Sequence, residues 1–167
     1  SFSSGGTESD NTVIYSAVSG GCKRLLVSSL DHPATQSAAE RFGGAVEFIP
    51  ALKSGLLDLD WLQARLNNWD EADGRPFVSM PAANSETGVV QALPEGLAVS
   101  DMTQSFGKLA VSFAWSGVQM ALVSAHKIGG PKGVGALVLR QGLDVATQIK
   151  GGGQEMGRRS GTENIIG

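Results

Sequence analysis

Short apolar runs, each ending in small or polar residues, recur along the chain and predict buried β-strands. Four of them are clear, at residues 25–27, 77–80, 97–100 and 121–123. A further short segment, residues 1–4, leads into a glycine pair. This spacing predicts strands separated by longer connections rather than by tight hairpins.

Amphipathic stretches behind two of these segments predict helices. An apolar face that includes Val13 and Ile14 follows Gly5-Gly6-Thr7, and apolar residues from Ala34 to Phe42 repeat at helical spacing. Pro33 suits the first turn of the second helix, and the glycines after Phe42 suit its exit. We therefore expect a helix after each of the first two strands.

A third helix is predicted at residues 60–70, where Leu62, Leu66 and Trp69 share one face. Asp58 or Asp60 is a suitable N-cap for it, and we interpret this helix as structural. The tract between Met80 and Leu97 has no amphipathic pattern and contains several glycines and prolines. We expect it to be a loop without a covering helix.

Strands that alternate with helices predict an α/β fold, a mostly parallel sheet with helices on both faces, within one domain spanning residues 1–167. In such sheets a ligand lies outside the carboxyl ends of the strands. The side chains expected at those ends are Thr7, His32, Asn84, Asp101 and Lys127. All five carry groups that can bind or react.

Composition excludes several classes of protein. The chain has 13 Lys and Arg against 16 Asp and Glu, a net charge of −3, which argues against a nucleic-acid or anionic-membrane partner. No apolar run is long enough to cross a bilayer. Its one cysteine, Cys22, excludes an intramolecular disulfide and a multi-cysteine zinc site, so no metal site is predicted. A single cysteine is typical of a reducing compartment, and we expect a cytoplasmic protein.

Three features together indicate a cofactor. Lys127 follows an apolar strand, where a low-dielectric surrounding favours the neutral, nucleophilic amine, although a solvated loop lysine is an alternative. Asp101 is suited to a pyridinium nitrogen or, alternatively, to capping a turn. Gly5-Gly6-Thr7 at a strand–helix junction suits a phosphate, although such turns also occur without one. A Schiff-base lysine, an acid for a pyridine nitrogen and a phosphate cradle are the three requirements of pyridoxal phosphate.

Longer motifs carry a family resemblance. Six stretches, at residues 4–11, 31–34, 84–88, 101–108, 124–127 and 151–164, together resemble the cysteine desulfurases, the NifS-like group of class-V aminotransferase-related enzymes of fold type I. The run Gly-Gly-Gly-Gln-Glu-Met-Gly-Arg-Arg-Ser-Gly-Thr-Glu-Asn at 151–164 is the most specific of them. The motifs follow the family's order and cover most of the chain.

The resemblance implies roles for individual residues. Lys127 would hold pyridoxal phosphate covalently and move the substrate α proton, and His32 would stack on the ring and shuttle protons. Asp101 would pair with the ring nitrogen, and Gln104 would contact the ring hydroxyl. The other implied contacts are Gly6, Thr7, Ser124 and His126 to the phosphate, Thr162 to the phosphate of a partner subunit, and Asn84 to the cofactor and the substrate carboxylate.

The implied activity is conversion of L-cysteine to L-alanine, with transfer of persulfide sulfur for iron–sulfur cluster or thiolated-tRNA synthesis. The implied partners are a second copy of the chain and a sulfur-acceptor or scaffold protein. Alternatives are another class-V enzyme, such as a selenocysteine lyase or an aminotransferase, and a catalytically inactive dimerisation or scaffold fragment. The chain would be a partial, truncated large domain that lacks the family's N-terminal segment and C-terminal small domain.

Other polar residues have simpler interpretations. Cys22 does not match the family's sulfur-carrying cysteine, and we interpret it as an ordinary turn cysteine. Arg158 and Arg159 are either a dimer-contact pair or a solvated basic turn. Lys108 and Lys132 are expected on the surface.

Overall fold

The computed structural model describes residues 1–167 and consists of one seven-stranded sheet with helices on both faces. The strand order is β1-β7-β6-β5-β4-β2-β3. The strands are β1 (Phe2–Ser3), β2 (Arg24–Ser28), β3 (Ala45–Ile49), β4 (Phe77–Pro81), β5 (Val99–Asp101), β6 (Met120–Ser124) and β7 (Gly135–Leu139).

The sheet is mostly parallel, as predicted. Five strands are parallel to one another, in the order β3, β2, β4, β5 and β6. Strand β7 pairs antiparallel with both β6 and β1. Two successive reversals make β1 run in the same direction as β6. The carboxyl end of β1 therefore lies at the same edge of the sheet as the carboxyl ends of the parallel strands.

Three α-helices cover the sheet: α1 (Gly6–Ser19), α2 (Pro33–Phe42) and α3 (Leu59–Asn67). Helix α2 begins with Pro33 and ends at Phe42, as the pattern predicts, and Gly43 follows with its N–H bonded to the Ala39 carbonyl. A Cβ at Gly43 would lie 2.5 Å from that carbonyl oxygen, so a larger residue would collide there. Helix α3 ends three residues before the predicted limit.

Two apolar clusters lie on opposite faces of the sheet. On one face Val13 and Ile14 of α1 are fully buried, and with Ala38 and Ala39 of α2 they pack against the strands. On the other face Leu62 of α3 packs with Met80 and other buried residues. The prediction of helices on both faces is confirmed, although α3 is the only α-helix on the second face.

The tract after β4 contains no helix, as predicted. It is held by a short antiparallel bridge between Ala83 and Val90. Gln91 fastens it to the segment before α3, because its Oε1 accepts from the Leu57 N–H at 2.9 Å and its Nε2 donates to the Gly55 carbonyl at 2.9 Å. The buried Gln91 amide thus holds this loop against the segment before α3.

Strands β3 and β7 lie outside the predicted set, so the sheet is larger than the sequence indicates. Helix α1, at 14 residues, is the longest helix, and none of the helices has the length and apolar character needed to span a bilayer.

Candidate cofactor site

A cavity of about 510 Å³ opens at the carboxyl edge of the sheet, and most of the residues that line it are polar or glycine. Its size is within the usual range for small-molecule sites. The strand-end segments after β1, β2, β4, β5 and β6 all contribute. Of the predicted site residues, the lining includes Gly6, Thr7, His32, Asp101, Gln104, Ser124, His126 and Lys127.

The turn from β1 into α1 forms an anion cradle. The backbone N–H groups of Thr7 and Glu8, in the first turn of α1, have no acceptor in the chain. Gly6 N–H donates to Ser124 Oγ at 2.8 Å, and a Cβ on Gly6 would lie 3.0 Å from that oxygen. Free N–H groups at a helix N-terminus beside a hydroxyl suit a phosphate.

Lys127 ends the short 3₁₀ turn that follows β6. Its side chain lines the cavity together with His126, forms no ion pair and is exposed. The predicted position beside the cavity is confirmed, but the expected burial in an apolar surrounding is wrong. The reason is that the chain leaves the sheet at Ser124, three residues before Lys127.

His32 has a defined orientation at the start of α2. It is the N-cap residue, and its Nδ1 accepts from the Ala34 N–H at 3.1 Å. In a neutral imidazole with an acceptor Nδ1, the proton is on Nε2. His32 both caps the helix and lines the cavity, so its capping role does not remove it from the site.

Asp101 is the last residue of β5, and Gln104 lies on the turn that follows it. Asp101 Oδ1 accepts from the Thr103 N–H at 2.8 Å. Gln104 Oε1 accepts from Lys108 Nζ at 2.8 Å. Lys108 is exposed, as expected, but it contacts a predicted site residue.

Two buried aspartates near this turn were not singled out by the sequence. Asp10 of α1 is 2% exposed and lines the cavity, and Asp31, before α2, is 5% exposed. Burial and the Asp101 charge raise the pKa of Asp10 to about 8, although the hydrogen bond from Thr35 Oγ1 acts in the opposite direction. Burial also raises the pKa of Asp31 well above its usual range, although Ser79 Oγ donates to Oδ2; Oδ1 has no partner. Helical spacing was a usable signal for Asp10, which falls one turn before Val13 and Ile14 on the buried face.

Asn84 and Thr162 do not line the cavity. The Asn84 amide is used within the chain: Nδ2 donates to the Leu30 carbonyl, and Oδ1 accepts from the N–H groups of Glu86 and Thr87. Thr162 is exposed in a neighbouring hollow that shares Ser4 and Gly133 with the cavity. The roles predicted for both residues stay predictions.

An ion pair holds the glycine-rich segment 151–164 beside the anion cradle. Arg159 Nε donates to Glu8 Oε1 at 2.9 Å, and this ion pair contributes to keeping the pKa of Glu8 below its usual range despite burial. Arg158 pairs with Asp144 at 2.8 Å. Both arginines therefore form ion pairs within the chain while remaining partly exposed, and the choice between a dimer-contact pair and a solvated basic turn stays open.

Cys22 lies away from the cavity and is buried, with its Sγ donating to the Arg24 carbonyl at 3.1 Å. Burial raises the pKa of this thiol. A protonated, buried thiol is a poor nucleophile, which agrees with the interpretation of Cys22 as a structural residue.

The residues that meet in the cavity fit pyridoxal phosphate. The unsatisfied N–H groups of the cradle and Ser124 suit its phosphate, the Asp101 carboxylate suits its ring nitrogen, and Lys127 offers the amine. All three groups border the same cavity. Their convergence from three distant parts of the sequence supports a single ligand.

Comparisons with known proteins agree with this fit. The family described as Aminotransferase class-V matches residues 1–166. Cysteine desulfurase IscS 1 of Archaeoglobus fulgidus is 37% identical over 98% of this chain and 45% of that protein. The cysteine desulfurase of Rhodobacter capsulatus is 38% identical over the same shares. A crystal structure of a NifS-like protein from Rickettsia africae superposes with a TM-score of 0.89 at 30% identity, covering 99% of this chain and 47% of that one.

The chain thus spans about half the length of the curated relatives it matches. The structural likeness confirms the predicted fold type, the large domain of NifS-like enzymes. Because the family match extends over nearly all of its residues, this chain belongs to the aminotransferase class-V family.

Proposed function

We propose that the chain is the cofactor-binding part of a pyridoxal-phosphate-dependent cysteine desulfurase, which converts L-cysteine to L-alanine. The observation that carries this proposal is the meeting of Lys127, Asp101 and the anion cradle in one cavity. The relatives named above as cysteine desulfurases support the choice of reaction within the family.

In this proposal some residues of the chain bind the cofactor and others transfer protons. The Thr7 and Glu8 N–H groups, with Ser124 and His126, would hold the phosphate, and Asp101 would keep the ring nitrogen protonated. When bound, pyridoxal phosphate withdraws electrons from the carbon that loses its proton. The Lys127 amine would take that proton, and His32, which also lines the cavity, would shuttle protons within it.

Transfer of sulfur needs a nucleophilic thiolate. Cys22 is the only cysteine in the sequence, and its thiol is buried away from the cavity. The chain therefore supplies the cofactor half of the proposed reaction, and the persulfide-carrying cysteine would come from outside these residues. The proposal also includes delivery of sulfur to iron–sulfur clusters or tRNA through an acceptor or scaffold protein. It further includes a homodimer, in which Thr162 contacts the phosphate bound by the partner subunit, and a cytoplasmic location.

A labelling experiment tests the cofactor site. The chain is incubated with pyridoxal phosphate, reduced with borohydride and digested, and the modified lysine is identified by peptide mass. We expect the label on Lys127 and its loss in Lys127→Ala. Lys132→Ala is the matched control, because Lys132 lines the same cavity and its loss should leave the label in place.

Other results would redirect the assignment. A label that persists in Lys127→Ala would refute the role of Lys127, and no label on the unsubstituted chain would favour the inactive scaffold fragment. A further experiment uses the chain with bound pyridoxal phosphate that has not been reduced. L-cysteine and L-selenocysteine are added separately, and the amino acid that changes the visible absorbance distinguishes a desulfurase from a selenocysteine lyase.

A further inference from the structure

The turn after β5 brings Lys108 back over Gln104. Gly107 has φ 72°, a left-handed conformation that glycine adopts readily, and a Cβ there would lie 3.2 Å from Ile128 Cγ2. The Lys108 N–H donates to the Ser105 carbonyl at 3.1 Å. This backbone path places the Lys108 side chain beside a residue four positions earlier.

The contact between Lys108 and Gln104 determines which atom of the Gln104 side-chain amide is available to a ligand. Lys108 Nζ donates to Gln104 Oε1 at 2.8 Å and to the Thr103 carbonyl at 3.3 Å. An ammonium group is only a donor, so it must face the oxygen of the carboxamide. The Gln104 NH₂ group has no acceptor in the chain, and Gln104 lines the cavity. What Gln104 can offer a ligand is therefore a hydrogen-bond donor.

Asp101, three residues earlier, offers the opposite chemistry. Its carboxylate is an acceptor that also lines the cavity, and one oxygen already accepts from the Thr103 N–H. The end of β5 and the turn after it thus present an acceptor and a donor to one ligand. A hydroxypyridine ring with a protonated nitrogen and an ionised hydroxyl has the matching donor and acceptor.

We propose that Lys108 is a positioning residue that orients Gln104 as a donor and adds positive charge beside it, so that the site prefers a ring with an ionised hydroxyl. This inference rests on the proposed function, since pyridoxal phosphate is the ring in question. Lys108 itself is exposed and acts through Gln104.

The test compares two ligands. Dissociation constants are measured for pyridoxal phosphate and for the analogue in which hydrogen replaces the ring hydroxyl. The unsubstituted chain is expected to prefer pyridoxal phosphate, and Lys108→Met should reduce that preference about tenfold, the usual scale for a hydrogen bond to a charged group. Lys108→Arg keeps a donor cation and should retain most of the preference. Lys53→Met replaces an exposed lysine that does not line the cavity and should leave the preference unchanged.

A pH titration gives a second readout. A nearby cation favours the ionised hydroxyl, so Lys108→Met should raise the pH at which the bound ring loses its hydroxyl proton, as followed by visible absorbance. A residue with only a structural role would shift the unfolding midpoint of the ligand-free chain and leave this titration unchanged. Lys108 is on the surface, so we expect little change in that unfolding midpoint.

The outcomes separate the two proposals. If the unsubstituted chain binds neither ligand, the proposed function fails and this inference fails with it. If it binds pyridoxal phosphate but Lys108→Met keeps both the preference and the titration, only the role of Lys108 is overturned. If Lys108→Met does not fold, Lys108→Ala decides, because it removes the same donor and the same charge without placing a long apolar side chain on the surface.

Discussion

At the scale of single residues, the Asp101 carboxylate has two opposing effects, one on ligand binding and one on the buried aspartates beside it. It faces the cavity as the carboxylate for a cationic ring, yet its charge raises the pKa of both buried aspartates, Asp10 and Asp31. Like charges placed close together destabilise the folded state when nothing compensates them. The arrangement therefore suits a site that a cation completes.

Asp101→Asn should separate these two effects. We expect affinity for pyridoxal phosphate to fall at least about tenfold, because a charge-assisted hydrogen bond is lost. The free energy of unfolding of the ligand-free chain should stay the same below about pH 8, where Asp10 is protonated, and increase above it, because the Asp101 charge no longer opposes ionisation of Asp10. Calorimetric binding and urea unfolding measure the two quantities. A parallel loss of affinity and stability would show that Asp101 is mainly a structural residue.

Much of the cavity lining was predictable residue by residue. His32, Asp101 and Lys127 were found because each follows an apolar run closely, and parallel strands bring their ends to one edge. The interactions of Asp10 and Asp31 were not predictable, because each partner lies far away in sequence: Thr35 is 25 residues from Asp10, and Ser79 is 48 residues from Asp31. The position of Lys108 against Gln104 likewise depends on a turn whose shape the pattern does not specify.

At the scale of elements, the N-cap of α3 is the clearest local determinant on its face of the sheet. Asp58 Oδ1 accepts from the Trp61 N–H at 2.9 Å, whereas Asp60 lies within the first turn and does not cap. We expect Asp58→Ala to lower the free energy of unfolding by about 1 kcal/mol. Asp60→Ala, which removes the same charge nearby, is the control and should cost less. Equal losses in urea unfolding would mean that charge near the helix terminus matters rather than the cap.

The helices were predicted more accurately than the strands, for a physical reason. A helix is specified by local spacing and caps, as in α2, where His32, Pro33 and Gly43 mark its limits. Strand β3 is a half-exposed edge strand, and its pairing with β2 depends on residues about 20 positions away. Strand β7 begins with Gly135, which must lack a side chain because a Cβ there would lie 2.6 Å from Gly5 Cα. That requirement comes from the turn between β1 and α1, near the other end of the chain.

At the scale of the whole molecule, the cavity edge joins distant parts of the chain. The ion pair between Glu8 and Arg159 connects residues 151 positions apart, and Glu8 Oε2 also accepts from the Ser4 N–H at 2.9 Å. One carboxylate thus holds the cradle, the first turn of α1 and the glycine-rich segment together. This edge of the cavity therefore depends on contacts between residues from both ends of the sequence.

The buried aspartates make the stability of the whole chain depend on pH. Asp10 has a pKa of about 8 in the folded chain, and in the unfolded chain its pKa returns to the ordinary value near 4. Between these values the folded chain binds more protons than the unfolded chain, so its stability falls as pH rises. Asp31, whose pKa is also raised by burial, adds a loss of the same sign.

Urea unfolding of the ligand-free chain between pH 5 and pH 8 measures this effect. The lowered pKa of Glu8 makes its contribution nearly constant in that window, because Glu8 is ionised in both states above pH 5. We expect Asp10→Asn to flatten the profile by about 1 kcal/mol per pH unit, since an amide of the same shape keeps the Thr35 contact but cannot ionise. Asp73→Asn is the control, because Asp73 carries a partly exposed carboxylate already paired with Arg24. An Asp10→Asn profile parallel to that of the unsubstituted chain would mean that Asp10 is ionised in the folded state, and that a cation or water at the cavity compensates its charge.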